Sequence, residues 1–225
     1  VIKLFTEALS TIPIVVLDVE TTGIDPWGDG VCQVAAVRFD GGREVGAYST
    51  LVHPDRPIPA AATEIHGITD ADVADAETIL SVFARPDLKA LLAGAAPAAY
   101  CAPFDRQFVP PDAFPDHQWP WIDPLTVVRA IDRYAKGSGR HKLTAACERH
   151  GIVLAQAHSA EADARAAGEL FFKLLPKLAE LAAEQRTTVE TLGMYLRWQR
   201  VTESNEWFRF NEWLSKQPPR EVADQ

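Results

Sequence analysis

The stretch Ile14-Val15-Val16-Leu17-Asp18-Val19-Glu20-Thr21-Thr22-Gly23 decides the fold. Its opening apolar run reads as a buried central strand that Thr21, Thr22 and Gly23 bring to an end. Asp18 and Glu20 are two apart, so strand alternation puts both carboxylates on one face near the strand's C-terminal end. Open sheets present their ligands at that end. Two like charges side by side are costly unless something positive sits between them, and a divalent cation meets that need. Two solvated acids at a strand end satisfy the same spacing, so the pair alone does not choose.

Working outward, Asp25 to Gly30 is a loop rich in turn residues. Val31 to Phe39 and Glu44 to Val52 read as strands joined across Asp40-Gly41-Gly42-Arg43, a strong hairpin signal. Pro54, Pro57 and Pro59 keep the next stretch out of a sheet interior. Thr69 to Leu92 has helical spacing, with Thr69 or Asp70 as cap and Pro86 splitting it. Ala96 to Tyr100 reads as a strand leading into Phe104-Asp105, and Trp121-Ile122 as another short one. Helical spacing returns over Asp123 to Tyr134 and over Lys142 to His150, the latter stopped by Gly151. Ser159 is placed to cap a long helix reaching about Leu175. The pattern predicts an α/β fold, a mixed sheet flanked by helices. Beyond Pro176 it is purely helical, which divides the chain into a domain over 1–175 and a helical extension over 176–225.

A length of 225 residues suits one well-buried domain plus an appendage. No apolar run is long enough to cross a bilayer, and the first ten residues lack the apolar core of a signal peptide. Cys32, Cys101 and Cys147 form no CxxC pair, which fits a reducing, cytoplasmic setting better than a disulfide framework or zinc site. A net charge of −9 argues against a protein that coats nucleic acid non-specifically. It does not exclude nuclease chemistry, because bound cations reverse the field of the carboxylates that hold them.

Two further acids complete a pattern. With Ser159 as cap, His158 and Asp163 take the two positions that touch in a hydrophobic staple, at a helix start that favours anions. Asp105 follows Phe104 at a strand-to-helix junction. Singly, each has an ordinary reading as a surface residue. In order, Asp18-Val-Glu-Thr-Thr-Gly23, Phe104-Asp105 and His158-Ser-Ala-Glu-Ala-Asp163 resemble the motifs of the DEDDh exonucleases, the family of the proofreading subunit of bacterial DNA polymerase III, exonuclease X and RNase T. Glu64-Ile-His-Gly-Ile-Thr69 resembles that family's loop near the substrate's 3′ end, and the likeness covers roughly residues 12 to 175. One departure stands in the second motif, where many relatives have His-Asn-Ala and this chain has Tyr100-Cys101-Ala102-Pro103. Cys101 cannot replace an Asn donor for donor.

The resemblance implies a ribonuclease H-like fold and a 3′→5′ exonuclease acting on single-stranded nucleic-acid 3′ ends, with DNA favoured in repair or proofreading. Trimming of RNA 3′ ends is the nearest alternative, and a catalytically weak nuclease fold kept for binding is a third. It implies two divalent cations held by Asp18, Glu20, Asp105 and Asp163, Mg²⁺ or Mn²⁺ given oxygen ligands. His158 is implied as the general base, with Asp18, Glu20, Asp105 and Asp163 as its catalytic partners. Thr21, Thr22, Gly23, His66, Thr69 and Phe104 are implied in substrate contact, although a turn-stabilising part is an equal alternative for His66 and Thr69. Arg140 and Lys142 precede the third motif and are candidates to meet phosphate. The C-terminal helices, with Trp198, Trp207 and Trp213, are expected to pack back on the core; a homo-oligomer or protein-partner surface is the second choice.

Overall fold

The computed structural model describes residues 7–114, 120–154 and 159–215, with side chains up to 206. Strand β1 (Pro13–Thr21) pairs antiparallel with β2 (Val31–Asp40), which pairs antiparallel with β3 (Arg43–Leu51). The hairpin turn sets Asp40 opposite Arg43, with Gly41 and Gly42 both left-handed, the two-residue turn whose twist suits a hairpin. Strand β4 (Ala96–Ala98) lies parallel to β1 on its other side, giving the order β3-β2-β1-β4. Trp121-Ile122, expected as a strand, contributes only a single bridge from Ile122 to Ala98.

Alternation along β1 feeds two cores. Ile14 and Val16 point into one cluster with Leu170, Phe171 and Leu174, while Val15, Leu17 and Val19 point into another with Val82, Leu88 and Phe108. Asp18 and Glu20 continue the first face, toward the long helix. Between β3 and β4 the chain forms α1 (Ala60–His66), α2 (Asp70–Val73), α3 (Ile79–Ala84) and α4 (Pro86–Leu92). The helix expected over Thr69–Leu92 is therefore three short ones. Pro86 opens the last, but the earlier break comes from Thr78, whose hydroxyl accepts the Ser81 N–H and starts a new helix.

After β4 come α5 (Ala102–Asp105), α6 (Pro124–Ile131), α7 (Leu143–His150, stopped by left-handed Gly151), α8 (Ala160–Glu184) and α9 (Leu192–Ser215). Helix α8 does not end at Leu175. It runs through Pro176, and Leu174, Leu178 and Ala182 on either side of the proline are all buried in the first core. Packing holds the helix together where local preference would end it. Leu192, Tyr195 and Trp198 of α9 belong to the same core, so the C-terminal helix packs back as expected. Tyr195 meets Phe171 edge-on, with ring centroids 5.5 Å apart. Trp198 is spent inside the chain rather than on an outer surface. The Trp207 and Trp213 side chains lie outside the described residues. No helix among the described residues is long and apolar enough to cross a membrane.

Helix α8 approaches β2 most closely at Gly168, where a Cβ would collide with the Phe39 ring. An alanine in a helix normally gains about 1 kcal/mol over glycine. Here Gly168→Ala is expected to cost about 1–3 kcal/mol through overpacking. Denaturant unfolding should show the loss in the single variant and its recovery in Gly168→Ala with Phe39→Leu. A more stable single variant would show that the helix does not press on the strand.

Candidate active site

Four acids from three elements meet beyond the end of β4. Carboxylate oxygens of Asp18, Glu20 and Asp163 lie within 4.8 Å of one another, two from β1 and one from the first turn of α8. Asp105, at the end of α5, stands outside that mutual set but is almost fully buried, and its Oδ1 accepts the Val19 N–H at 3.2 Å. The reason is topological. Strand β4 pairs with β1 only over Ile14–Val16, so the Val19 amide finds a carboxylate where the ladder has stopped.

Electrostatics shows how tightly the set is drawn. Burial, then the charges of Asp105, Glu20 and Asp163, hold the Asp18 carboxyl well above the usual range. Burial and Asp163 push Glu20 up to about 7. Burial pushes Asp105 up to about 8 against the pull of the Val19 N–H, with Asp123 and Glu20 adding to the rise. Such shifts mean that the anionic forms repel one another in a poorly solvated site. An all-oxygen set of this kind fits a hard divalent cation, Mg²⁺ or Mn²⁺, better than a thiolate- or imidazole-loving metal.

The supporting residues were less visible in sequence. Register shifts between Glu20 and Thr21, a bulge at the edge of the site. Gln33 of β2, opposite Glu20, accepts the Ala160 N–H through Oε1 at 3.3 Å and so ties the start of α8 to the sheet. Ser159 takes the cap position, but its side chain makes no cap bond; Gln33 does part of that work. The sequence signal for Gln33 is a polar residue at the start of a strand that stays apolar from Val34 to Val37.

Cys101 is left-handed, at φ 72° and ψ 52°. Its N–H donates to Asp123 Oδ1 (3.0 Å), which also caps α6 by accepting the Leu125 N–H (2.9 Å). Asp123 is in turn gripped by α9: its N–H donates to Gln199 Oε1 (2.9 Å), and Tyr195 donates to its carbonyl (3.2 Å). Gln199 Nε2 donates to the Trp121 carbonyl (3.1 Å). The C-terminal helix thus braces the backbone that delivers Asp105.

The remaining expected residues fall as follows. His158 lies outside the described residues. Thr22 is buried, and its hydroxyl donates to Asp29 Oδ1 while accepting the Gly30 N–H, closing the 23–30 loop. Gly23 leaves room for the Asp29 carboxylate, which a Cβ would strike. The Thr21 hydroxyl donates to the Gly23 carbonyl at 2.6 Å. His66 accepts the Ile68 N–H on Nδ1 and faces Cys32 Sγ at 3.7 Å, and burial, with Glu20 adding to it, pushes the Cys32 thiol up to about 12. Thr69 gives both its N–H and its hydroxyl to Asp72 Oδ2, the turn-stabilising alternative. Phe104 packs on Phe108, with centroids 5.2 Å apart. Arg140 and Lys142 line a separate hollow beside Tyr100 and Cys101. His150 bonds to Asp132 at 3.0 Å.

Comparisons with known proteins agree with this geometry. The profile of a family described as exonuclease, RNase_T, matches residues 15–171. The chain is 39% identical over 178 residues to a DNA polymerase III subunit epsilon-like protein of Rhodobacter capsulatus, covering 76% of this chain and 25% of that one. It is 29% identical over 182 residues to a PolC-type DNA polymerase III of Thermotoga maritima, covering 79% and 13%. The chain thus spans a quarter or less of these curated relatives. Among solved structures it is similar to exonuclease X in complex with 5′-overhanging duplex DNA, with TM-score 0.61, 25% identity and coverage of 73% and 92%. A zinc-bound complex of Escherichia coli exonuclease I with single-stranded DNA shares the fold at TM-score 0.63 and 23% identity, covering 76% and 42%. The sheet with its flanking helices is the ribonuclease H-like fold of these exonucleases.

Two outcomes test the site. Glu20 binds a proton in the folded chain up to about pH 7, against 4.5 unfolded. The cation-free fold should therefore lose stability as pH rises through that window. A divalent cation competes with those protons. Mn²⁺ should accordingly raise the thermal midpoint more at pH 8 than at pH 5; equal shifts would show that the acids are not drawn together. Separately, Asn tolerates the left-handed region better than Cys. Cys101→Asn is expected to raise stability by about 1 kcal/mol in thermal unfolding, and a lower midpoint would refute the strain.

Proposed function

The chain belongs to the RNase_T family of exonucleases, and from that membership we propose that it removes nucleotides singly from the 3′ ends of DNA. The products are nucleoside 5′-monophosphates. The observation that carries this reading is the convergence of Asp18, Glu20 and Asp163 from β1 and α8, with Asp105 coupled to them through the Val19 amide. We read residues 1–175 as the catalytic unit and 176–225 as an extension that braces it. Relatives described as DNA polymerase III proteins, and similar structures described as DNA complexes, support DNA over RNA. All three cysteines are free, in keeping with a reducing, cytoplasmic setting.

Asp18, Glu20, Asp105 and Asp163 would hold two Mg²⁺ or Mn²⁺ ions. Such a pair, when bound, lowers the pKa of an attacking water and stabilises the leaving oxygen. The protein's own part is to hold four carboxylates at fixed positions. Val19 orients Asp105, and Gln33 fixes the helix start that presents Asp163. His158-to-Asp163 matches the family's third motif, and by that likeness His158 would be the base that takes the water's proton, a role suited to an imidazole near neutral pH. His66, which packs against Cys32 of β2, would meet the terminal nucleotide, as the likeness of its loop to that of the family implies.

A 5′-labelled single-stranded DNA digested with Mn²⁺ should give a descending ladder that EDTA abolishes. Asp18→Asn should give none. His158→Ala should keep DNA binding while turnover falls by about 10²–10⁴. A ladder from Asp18→Asn, or one that shortens only a 3′-labelled strand, would refute the metal assignment or the polarity respectively. Faster digestion of a matched RNA would overturn the substrate.

A further inference from the structure

Helix α9 is flanked by two grooves. Arg106, Arg197 and Arg200 converge in one over Pro103, Trp121 and Leu196. Arg129, Arg133 and Arg186 join Arg197 in the other. Each groove holds one acid, and each acid has an engagement of its own. Glu206 pairs with Arg129 at 3.5 Å, and Glu203 accepts the Thr126 hydroxyl at 3.2 Å. Arg106, Arg197 and Arg200 are exposed, and no ion pair engages them among the described residues. In a chain of net charge −9, this concentration of guanidinium groups needs an anionic counterpart.

Position identifies the counterpart. Arg106 follows Asp105 directly, and the short helix α5 aims the carboxylate at Val19 while the next residue enters the groove. One wall of the groove is therefore Ala102, Pro103 and Arg106, the same segment that delivers Asp105. Guanidinium groups pair with phosphate oxygens through two parallel hydrogen bonds. A basic channel with apolar and aromatic walls suits a single strand, whose backbone follows the charges while its bases meet the walls. We propose that the Arg106–Arg197–Arg200 groove holds the phosphodiester backbone of a single DNA strand whose 3′ end lies among the carboxylates. This rests on the exonuclease reading. Helix α9 then serves twice, since the face bearing Tyr195 and Gln199 braces the site and the face bearing Arg197 and Arg200 receives the substrate.

The test replaces all three groups at once, as Arg106→Gln, Arg197→Gln and Arg200→Gln, and compares a charge-matched variant, Arg43→Gln, Arg56→Gln and Lys89→Gln, on exposed positions elsewhere. The groove variant should raise KM for a long oligothymidylate on the order of tenfold at moderate salt, and flatten the log-log dependence of binding on salt by about 2. Its loss on a dinucleotide, which carries a single internucleotide phosphate, should be much smaller. Equal losses on both substrates, or equal losses in the charge-matched variant, would overturn the groove. Should the wild type cleave nothing with any divalent cation, the exonuclease reading fails. Fluorescence anisotropy of labelled oligothymidylate in EDTA then still decides the groove by the same comparison of variants. Double variant Arg197→Gln, Arg200→Gln, which leaves α5 untouched, guards against a local fold defect.

Discussion

Three carboxylates converge with a fourth close by, and burial together with their neighbours' charges raises the cost of ionising Asp18, Glu20 and Asp105. Asp18 suffers most, being buried and facing Asp105, Glu20 and Asp163. No sequence keeps such a cluster by accident of local preference, because relaxation by a small movement of any member would relieve the repulsion. The fold has to resist that movement. It does so by drawing the acids from elements fixed independently of one another: the central strand, the helix after β4, and the start of α8. Bound cations then turn repulsion into attraction.

Each anchor is secured by a bond that spans the chain. Val19 and Asp105 are 86 residues apart, Gln33 and Ala160 127 apart, and Asp123 and Gln199 76 apart. Helix α8 is pressed on the sheet at Gly168, which fixes how far Asp163 stands from β1. The strained backbone at Cys101 is tolerated because Asp123 takes its amide, and Asp123 is itself closed in by Tyr195 and Gln199. Strain near a reactive centre persists only where surroundings over-determine it, and here they do.

This explains what was legible in the sequence. The acids were visible because their residue types and order carry the chemistry, and β1 because an apolar run ending in alternating acids has few other readings. The hairpin was visible in Gly41 and Gly42, since a two-residue turn with both residues left-handed leaves little choice. What local pattern could not show was anything decided by distant contacts. Pro176 looked like a stop, yet Leu178 and Ala182 beyond it are buried, so tertiary packing overrode propensity. Gln33, Tyr195 and Gln199 carry no motif; their role exists only once strands and helices have met. Ser159 misled in the opposite way, offering the right residue type at the cap while the bond to the helix start came from Gln33.

Charge teaches the same lesson on a larger scale. A net value of −9 describes the whole chain, whereas DNA responds to what lies within a screening length of about 8–10 Å. Helix α5 itself contributes a carboxylate, Asp105, to the acids and is followed by a guanidinium group, Arg106, that lines the groove. An acidic exterior discourages adsorption elsewhere, so on the proposed reading the basic groove would be the favoured approach for a DNA strand. Net acidity and nuclease chemistry are then compatible: the negative charge disfavours other binding modes, while Arg197 and Arg200 on the helix that braces the site, with Arg106 after α5, would select the productive one.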